Sequence, residues 1–534
     1  MDLDFVSQLI GAIENPQDQT LDQAAIVALR PHFETMLDNE VDQLMNEFVQ
    51  RRELLTEPGS QMLLEFVFAT LGIRAYKSFL TQPEPLSKPL LASIESIYRA
   101  VEPGANSRNH LLAWLATTDD PSAMNLFTDL MVDDPPMNDR GIAIAFQPFF
   151  RSQGQHQRAF ENLFPRLLDA VQHIGLAAGV LDLANFLTRQ NHVTTHPATE
   201  RKEALVSILD RVTHELEQIE QGNIQGGADP VKLSGQIENS VVLVVSLCDA
   251  LGLIGNDSAI PALQRTCELR HRRIQTEAAA ALCRLGEEGG KTVMLNLLEE
   301  PVSRLRVITY AEELGFKDEI PDPFLTPQCE AESQLAIWLA RPTQMGFAPS
   351  QVNVTDHRRM FWPGFDDPVD CFLLSYKFSS PAGDIENVGI CGPLTHVFVS
   401  KLTGLDRFDQ YSAFAGWQTT HEDLYEVKHE KACVAYHREC DERLRRAERS
   451  GLNEIEPFFL GSFFGEKILV CQAVREQSSG TAIIDEDRVH WLAAGEPDSP
   501  IDVDLAYCIY KGRRLLDHFN PELRQELLAA PEAS

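Results

Sequence analysis

Apolar residues recur every three or four positions along residues 1–340, as in Leu63, Phe66, Val67, Ile73 and Leu80. This spacing places apolar side chains on one face of a helix. Almost no stretch of this region shows the alternation with a period of two that half-buried strands require. The pattern therefore predicts one helix after another along this part of the chain.

Short sequence signals mark where these helices begin and end. Aspartate followed by proline occurs at Asp120-Pro121 and again at Asp229-Pro230. The carboxylate can accept hydrogen bonds from the free N–H groups of the first turn, and proline suits the first helical position. The glycine-rich segment 221–230 predicts a flexible break between two helical blocks, and the other connections are short.

Three segments between residues 245 and 320 resemble one another. Each finishes a helix with an aliphatic residue followed by a glycine, at Gly255, Gly286 and Gly315, about thirty residues apart. The residue after a helix often adopts a left-handed conformation, which glycine tolerates best. A period of this length, made of two short helices, is typical of an α-solenoid, in which neighbouring pairs stack to bury a shared core.

The segment 273–286, with the sequence RIQTEAAAALCRLG, resembles HEAT repeats, in particular the short HEAT-like repeats named after the phycobilisome lyases. A looser version lies at 111–130. The resemblance implies a solenoid of helix pairs over residues 1–340. We expect these apolar residues to be buried between its layers: Leu251, Ile254, Leu282, Leu285 and Leu314.

The pattern changes after residue 341, where short β-rich segments alternate with turns and a few helices. Strands are predicted at 352–354, 359–362, 371–379, 387–391, 457–464, 468–474, 481–485 and 488–492, and helices at 410–417, 429–450 and 501–519. Residues 341–534 are therefore predicted to form a smaller α+β domain with a mostly antiparallel sheet. The apolar helix at 332–339, which includes Trp338, is expected to pack this domain onto the last repeat.

The chain is strongly acidic, with 79 acidic residues against 46 lysines and arginines and a net charge of -33. Such a surface repels phosphate groups, so we expect no nucleic-acid partner and no anionic membrane surface. The most apolar run, 241–255, is shorter than the roughly twenty residues of a membrane span. The first residues are acidic where a signal peptide would be basic, so a cytoplasmic protein is expected.

Ten cysteines lie between Cys248 and Cys508, and none is paired in a C-x-x-C motif. Most lie within apolar runs, as reduced buried thiols do in cytoplasmic proteins. We therefore expect neither a disulfide framework nor a zinc site, and no other cofactor is indicated.

Two groups of residues were considered for chemistry. His429, Cys433, His437 and Cys440 share a helical stripe that could hold a metal ion, but the stripe continues in apolar residues, as the buried face of a helix does. Cys391 lies near His396 and could be a nucleophile beside a base, but a cysteine that ends an apolar strand is more often inert. No catalytic residue and no metal ligand is assigned.

The segment 362–368 combines aromatic, turn-forming and acidic residues. Exposed aromatic residues beside carboxylates suit recognition of a basic or amphipathic partner, so Trp362, Phe365, Asp366 and Asp367 are candidate partner-binding residues. The alternative is a connecting loop whose aromatic residues fill the core. A core position is also expected for Trp417.

A second candidate is the basic run at 265–273, which includes Arg270, Arg272 and Arg273. These residues could bind an anionic partner on the solenoid. In so acidic a chain they could equally be solvated or paired with acids of a neighbouring repeat, and internal pairing is the favoured expectation.

These patterns favour a protein–protein interaction scaffold or adaptor that binds a partner of unknown identity on the solenoid face and on the C-terminal domain. A first alternative is an enzyme of unknown reaction with its site in the C-terminal domain. A second, implied by the repeat resemblance alone, is a lyase or chaperone of chromophore attachment. The motifs of dinucleotide-binding folds, P-loops, zinc proteases and α/β-hydrolases are absent from the sequence.

Overall fold

The computed structural model describes residues 29–56, 60–81, 85–137, 141–151, 160–223, 230–380, 383–419, 424–426, 434–463, 465–493 and 501–529. Its contacts divide the chain into two compact units, residues 1–296 and 297–534. The change from helices to strands comes later, since the first strand begins at Gln351. The last two helices before the strands therefore belong to the second unit.

The described part of the first unit is helical. Its helices are α1 Arg30–Thr35, α2 Asp38–Gln50, α3 Gln61–Thr81, α4 Lys88–Ala100, α5 Asn106–Ala116, α6 Pro121–Asp133, α7 Ile142–Arg151, α8 Phe160–Leu163, α9 Ile174–Arg189, α10 Lys202–Glu220, α11 Pro230–Ile254, α12 Ile260–Cys267, α13 Arg272–Arg284 and α14 Glu288–Asn296. The prediction of successive helices is confirmed for these residues.

Helices of the first unit pack mainly on the helix two places along the chain. The contacts α1–α3, α3–α5, α5–α7, α7–α9, α9–α11 and α11–α13 form one series, and α2–α4, α4–α6, α6–α8 and α10–α12 form a second. One apolar cluster runs through the unit from Phe33 to Leu282. The helices therefore lie in two rows that share a core.

The three repeated glycines end helices as predicted. Gly255, Gly286 and Gly315 have φ values of 74°, 83° and 80°, in the left-handed region that glycine tolerates best. Beyond Gly286, the next N–H group donates back to the carbonyl of Leu282 at 3.0 Å. Such a bond satisfies a carbonyl that the helix end would otherwise leave without a partner.

Burial of the repeated aliphatic residues was predicted only in part. Leu251 and Leu282 are buried, whereas Ile254, Leu285 and Leu314 are half-buried. The half-buried residues stand at the last or capping position of their helices, where the chain turns towards solvent. The expectation that all five lie fully between layers is therefore wrong for these three.

Helix α11 is longer than the apolar run suggested. By length and composition alone, its segment Leu233–Ile254 is apolar enough to cross a membrane, and 56% of it is buried inside the protein. The helix packs against α9, α10 and α13. Part of its apolar surface thus lies in the core of the first unit.

The second unit begins with two helices and continues with two sheets. Its elements are α15 Pro301–Glu313, α16 Pro327–Leu339, β1 Gln351–Met360, β2 Val369–Ser380, β3 Gly383–Cys391, β4 His396–Val397, α17 Arg407–Gln418, β5 Leu424–Glu426, α18 Val434–Arg449, β6 Asn453–Phe463, β7 Glu466–Arg475, β8 Ser478–Ile484, β9 Val489–Ala493, α19 Val503–Phe519 and α20 Leu523–Ala529. The α+β class of this region is confirmed.

The strands form two antiparallel sheets where one was predicted. Their orders are β1-β2-β3-β4 and β5-β6-β7-β8-β9. The segment predicted at 352–354 and the first two residues of the one predicted at 359–362 belong to a single strand, β1, which ends at Met360. The pairing of β1 with β2 shifts between Val354 and Asp356. This bulge interrupts the alternation of side chains between the two faces of the sheet, so the sequence of one strand resembles that of two short strands.

Both sheets are covered on two faces. In β2, Cys371 and Leu373 point towards α17 and α19, whereas the alternate residues Phe372 and Leu374 point towards α16. The second sheet is packed in the same way between α19 and α18. The second unit is therefore layered as α16, first sheet, the pair α17–α19, second sheet and α18.

Candidate partner-binding surface

The loop between β1 and β2 contains four of the residues predicted from the sequence, and it separates them into two roles. Trp362 is 1% exposed and its indole N–H donates to the side-chain oxygen of Gln418 on α17, so it fills the core. Phe365 is 41% exposed, and Asp366 and Asp367 are exposed. The core alternative is therefore correct for Trp362, and the other three side chains face solvent.

This loop is held in one shape by hydrogen bonds to distant residues. The side-chain amide of Asn520 donates to the carbonyl of Phe361 at 2.9 Å, and its oxygen accepts the N–H of Phe361 at 2.9 Å. The N–H of Phe365 donates to the carbonyl of Trp362 at 3.1 Å, and Gly364 has a φ of 86°. Phe365 is thus presented on a pre-formed turn, which lowers the entropy lost on binding.

Trp417 occupies the last turn of α17 and does not lie in the core, contrary to the prediction. It is 43% exposed, and its ring stacks on the imidazole of His396 with centroids 3.8 Å apart and an angle of 18°. His396 also meets Trp338 and Phe398 edge-on, at 6.0 and 5.2 Å. The sequence did not indicate this contact, because β4 is only two residues long and has no readable periodicity.

The imidazole beneath Trp417 is neutral at physiological pH. Burial lowers the pKa of His396 to about 4, because the charged form would lose its hydration among these aromatic rings. One face of Trp417 therefore rests against an uncharged ring, and its π-system is not opposed by a neighbouring positive charge.

The loop and Trp417 border the same end of α17. Gln418, which accepts the bond from Trp362, follows Trp417 directly, and a Cβ atom placed on Gly364 would lie 3.7 Å from its side-chain nitrogen. We call the accessible residues at this end the Trp417 surface, in which His396 is half-buried and the other side chains are exposed. It comprises Phe365, Asp366, Asp367, His396 and Trp417.

Of the two groups that could carry chemistry, the structure describes Cys391, His396 and Cys440. Burial raises the pKa of the Cys391 thiol to about 12, and its sulfur lies 3.7 Å from the hydroxyl of Thr395. His429, Cys433 and the His437 side chain lie outside the described residues. Cys440 is buried in an apolar cluster with its helix neighbour Ala447, and no metal-binding group of three ligands occurs among the described residues.

The basic run is located on the first unit, at the turn between α12 and α13. Arg270, Arg272 and Arg273 are exposed. The N–H of Arg270 donates to the carboxylate of Glu220 at 2.9 Å, and the guanidinium of Arg272 donates to Gln275 at 2.9 Å. The structure therefore satisfies part of this run internally.

The second unit contains a charged cavity of about 330 Å³ that the sequence pattern did not indicate. Its lining consists of Glu442, Arg443, Arg446, Lys467, Asp485 and Glu486. These side chains come from α18, from the start of β7 and from the turn after β8, which are separated in the sequence. The sequence predicted Asp485 at the end of the strand 481–485, but it did not indicate which helix would cover this position.

The cationic groups of this cavity bind the backbone. The guanidinium of Arg446 donates to the carbonyls of Asp485, at 2.8 Å, and of Glu486, and that of Arg443 donates to the carbonyl of Lys467 at 2.9 Å. These contacts fasten α18 to the end of the second sheet. The two arginines thus have a structural role here.

Asp485 itself is the centre of a hydrogen-bonded turn. Its carboxylate accepts bonds from His490 at 2.7 Å and from the N–H groups of Arg488 and Asp487 at 2.6 and 2.9 Å. Burial opposes the charged form, but these bonds outweigh it and hold the pKa of Asp485 below its usual value. A carboxylate with a lowered pKa is a weak general base.

Comparisons of this chain with protein-family models, with curated proteins and with solved structures find no match.

Proposed function

We propose that this protein is a non-enzymatic scaffold that binds a protein partner through the Trp417 surface, and that its first unit is an α-solenoid. The observation that supports binding is the rigid presentation of Phe365 and Trp417 beside two exposed carboxylates. Large aromatic side chains on a pre-organised surface dominate the energy of many interfaces. A cytoplasmic location remains part of this proposal.

The two rows of helices support the solenoid. In one row, Asp249 on α11 pairs with Arg189 on α9 and, at 3.6 Å, with Arg284 on α13, so one carboxylate connects three successive helices. In the other row, Arg265 on α12 pairs with Asp210 on α10. These ion pairs join neighbouring helices within each row, and contact between neighbours is what holds a repeat array together.

A recurring contact at the start of helices also supports repeated units. Arg108 on α5 donates to the carbonyl of Val101 at 3.0 Å, and Arg304 on α15 donates to that of Leu298 at 2.8 Å. Gln275 on α13 donates in the same manner to a carbonyl at the end of the preceding helix, at 3.1 Å. The resemblance to HEAT-like repeats rests on this geometry and on the sequence pattern.

A capture experiment tests the proposed function. The full chain and its Trp417→Leu and Phe365→Ala variants are used as bait in an extract of the native cell, and bound proteins are identified by mass spectrometry. Phe347→Ala, which removes an aromatic residue that is 59% exposed elsewhere in the second unit, is the matched control. We expect a partner that is retained by the control and lost by the two variants. Equal capture by all four chains would contradict the proposal.

The charged cavity favours one alternative function, an enzyme or small-molecule receptor in the second unit, because titratable side chains meet there. Against it stand the contacts of Arg443 and Arg446 with backbone carbonyls and the lowered pKa of Asp485. The hypothesis of a chromophore lyase rests on the repeat resemblance alone. Expression of the protein together with a bilin, followed by an absorbance spectrum, would test it.

A further inference from the structure

Trp417 presents an aromatic face. Its contact with His396 is a close stack, so one side of the indole is occupied, and 43% of the residue remains open to solvent. Among the described residues, the structure shows no cation over this ring. The face of an indole is electron-rich and attracts the ammonium of lysine or, more often, the guanidinium of arginine.

The charges that flank this surface are unequal. Asp366 and Asp367 are exposed, and no described ion pair engages them. Two polar side chains of the adjacent strand β1 are already engaged, since His357 lies 2.8 Å and Arg359 lies 3.8 Å from the carboxylate of Asp370. With a net charge of -33 for the whole chain, the field at this surface favours a positively charged partner.

We propose that the Trp417 surface recognises a basic segment of its partner, with one arginine or lysine side chain over the open face of Trp417 and a second near Asp366 and Asp367. This inference rests on the proposed function and specifies the chemistry of the partner. Phe365 supplies an apolar contact between the two charged positions.

The dimensions suit a short peptide. A Cβ atom on Gly364 would lie 3.7 Å from the side-chain nitrogen of Gln418. Asp366 is two residues from Gly364, and Trp417 directly precedes Gln418. The two charged positions are therefore separated by no more than about 20 Å, which an extended segment of about six residues spans. Such a segment needs no folded structure of its own.

The support beneath Trp417 fits this role. His396 is itself held by Trp338, Phe398 and Phe414, with ring centroids 6.0, 5.2 and 6.3 Å away. Trp417 is consequently fixed in one orientation before a partner arrives, which reduces the entropy lost on binding. Since the imidazole beneath it is neutral, it does not repel a cation on the opposite face.

The test uses the full chain and two labelled hexapeptides, one of alternating arginine and glycine and one with glutamate in place of arginine. Fluorescence anisotropy measures their binding at 0.05 and 0.2 M salt. We expect the arginine peptide to bind, with an affinity that falls at the higher salt concentration, and the glutamate peptide not to bind.

Variants separate recognition from general attraction to an acidic protein. Trp417→Leu keeps an apolar side chain without the aromatic face and should lower the affinity for the arginine peptide by about 2–5-fold. Trp417→Phe keeps an aromatic face and should retain most of this affinity. Asp366→Asn combined with Asp367→Asn should weaken binding and reduce its salt dependence. Asp318→Asn combined with Asp322→Asn, which changes the same number of exposed charges in the same unit, should have no effect.

Two results would overturn the inference. One is equal binding of the arginine peptide to the wild type and to Trp417→Leu. The other is an equal loss from both pairs of aspartate substitutions, which would show only general attraction. If a natural partner is captured through Trp417 while the arginine peptide fails to bind, the proposed function stands and the basic character of the partner is refuted.

Discussion

Two glycines set the distance between α17 and α19 in the middle layer of the second unit. A Cβ atom on Gly416 would lie 1.9 Å from the carbonyl oxygen of Cys508, and one on Gly512 would lie 1.8 Å from that of Ser412. These reciprocal contacts show that the helices run in opposite directions at close approach. Asp409 and Arg513 pair across the same interface at 2.6 Å.

Substitution of Gly512 by alanine should therefore separate the two helices. Because the Cβ atom meets backbone and not a flexible side chain, we expect the free energy of unfolding to fall by about 1–3 kcal/mol or more. Gly235→Ala, in a helix where nothing lies within 4 Å of the new methyl group, should instead stabilise by about 0.5–1 kcal/mol. Urea denaturation of both variants measures the difference, and equal effects would contradict this account.

A second prediction at the scale of single residues concerns Asp485. Its folded-state pKa is lowered, so its charged form stabilises the fold above the unfolded pKa of about 3.9, and this contribution disappears as the pH falls through the folded pKa. Asp485→Asn should lower stability by about 1.5–3 kcal/mol at pH 7, since the hydrogen bonds involve a charged acceptor. The gap between the two proteins should stay constant above about pH 4 and narrow as the pH falls further, as followed by denaturation from pH 7 to pH 3.

The neighbouring Asp487 provides the control for this prediction. Its side chain is exposed, so Asp487→Asn should change stability by less than about 0.5 kcal/mol at any pH. A gap for Asp485→Asn that stays constant down to pH 3 would mean that the carboxylate charge does not matter.

Burial of single residues was the property that the sequence predicted least well. Trp362 and Trp417 each lie beside a glycine and a polar or turn-forming residue, yet one is buried and the other is 43% exposed. The difference comes from partners far away in the chain. Gln418 binds Trp362 from 56 positions away, and Trp417 meets a histidine on a two-residue strand. The sequence around each tryptophan does not indicate contacts with residues so far away in the chain.

At the scale of elements, the ion pairs of the first unit allow a matched comparison. Asp249 joins three helices, and the side chains of this group are between 12% and 23% exposed. Asp210 and Arg265 also join two helices, but their side chains are 40% and 52% exposed. Asp249 and Asp210 thus both link neighbouring helices, but Asp249 is largely buried and Asp210 is more exposed.

Removal of the buried carboxylate should be the more damaging change. We expect Asp249→Asn to destabilise the first unit by about 2–4 kcal/mol, because it removes a carboxylate charge that two largely buried guanidinium groups share. Asp210→Asn should cost less than about 1 kcal/mol, and high salt should reduce even that. Thermal unfolding of both variants at two salt concentrations checks the ranking, and similar losses would mean that neither pair links the helices in the proposed way.

The elements themselves were predicted well wherever they are long. Helices such as α13 and strands such as β2 and β7 have enough residues for a period of 3.6 or 2 to appear. The errors concern short or irregular elements. β4 and β5 have two and three residues, and the bulge in β1 shifts its alternation at Thr355. The number of sheets depends on which strands pair with one another, and the periodicity of single strands does not show this.

At the scale of the whole molecule, the division into two units differs from the change in sequence pattern. Residue 340 is where helices give way to strands, but α15 and α16 belong by their contacts to the unit that contains the sheets. The reason is the outer face of the first sheet. A sheet with apolar residues on both faces must be covered on both, and α16 supplies the second cover.

Helix α16 is therefore expected to be essential for the solubility of the second unit. Leu335 and Leu339 lie in one cluster with Phe372, Leu374 and Phe378 of β2, and a Cβ atom on Gly389 would lie 2.9 Å from Leu335. A fragment of residues 297–534 keeps this cover, whereas a fragment of residues 341–534 exposes the sheet. We expect the shorter fragment to bind the dye ANS strongly and to aggregate, because a large apolar face then contacts water.

The longer fragment is the control, and it should remain soluble with little dye binding. Leu335→Asp in the full chain tests the same contact without truncation, since a buried carboxylate without a partner should loosen α16 from the sheet. That variant should bind more ANS than Glu330→Asp, a conservative change at an exposed position of the same helix. If residues 341–534 alone form a soluble fragment that binds no more dye than residues 297–534, then α16 is dispensable. The division at residue 340, which the sequence pattern predicted, would in that case describe the folding unit better than the contacts do.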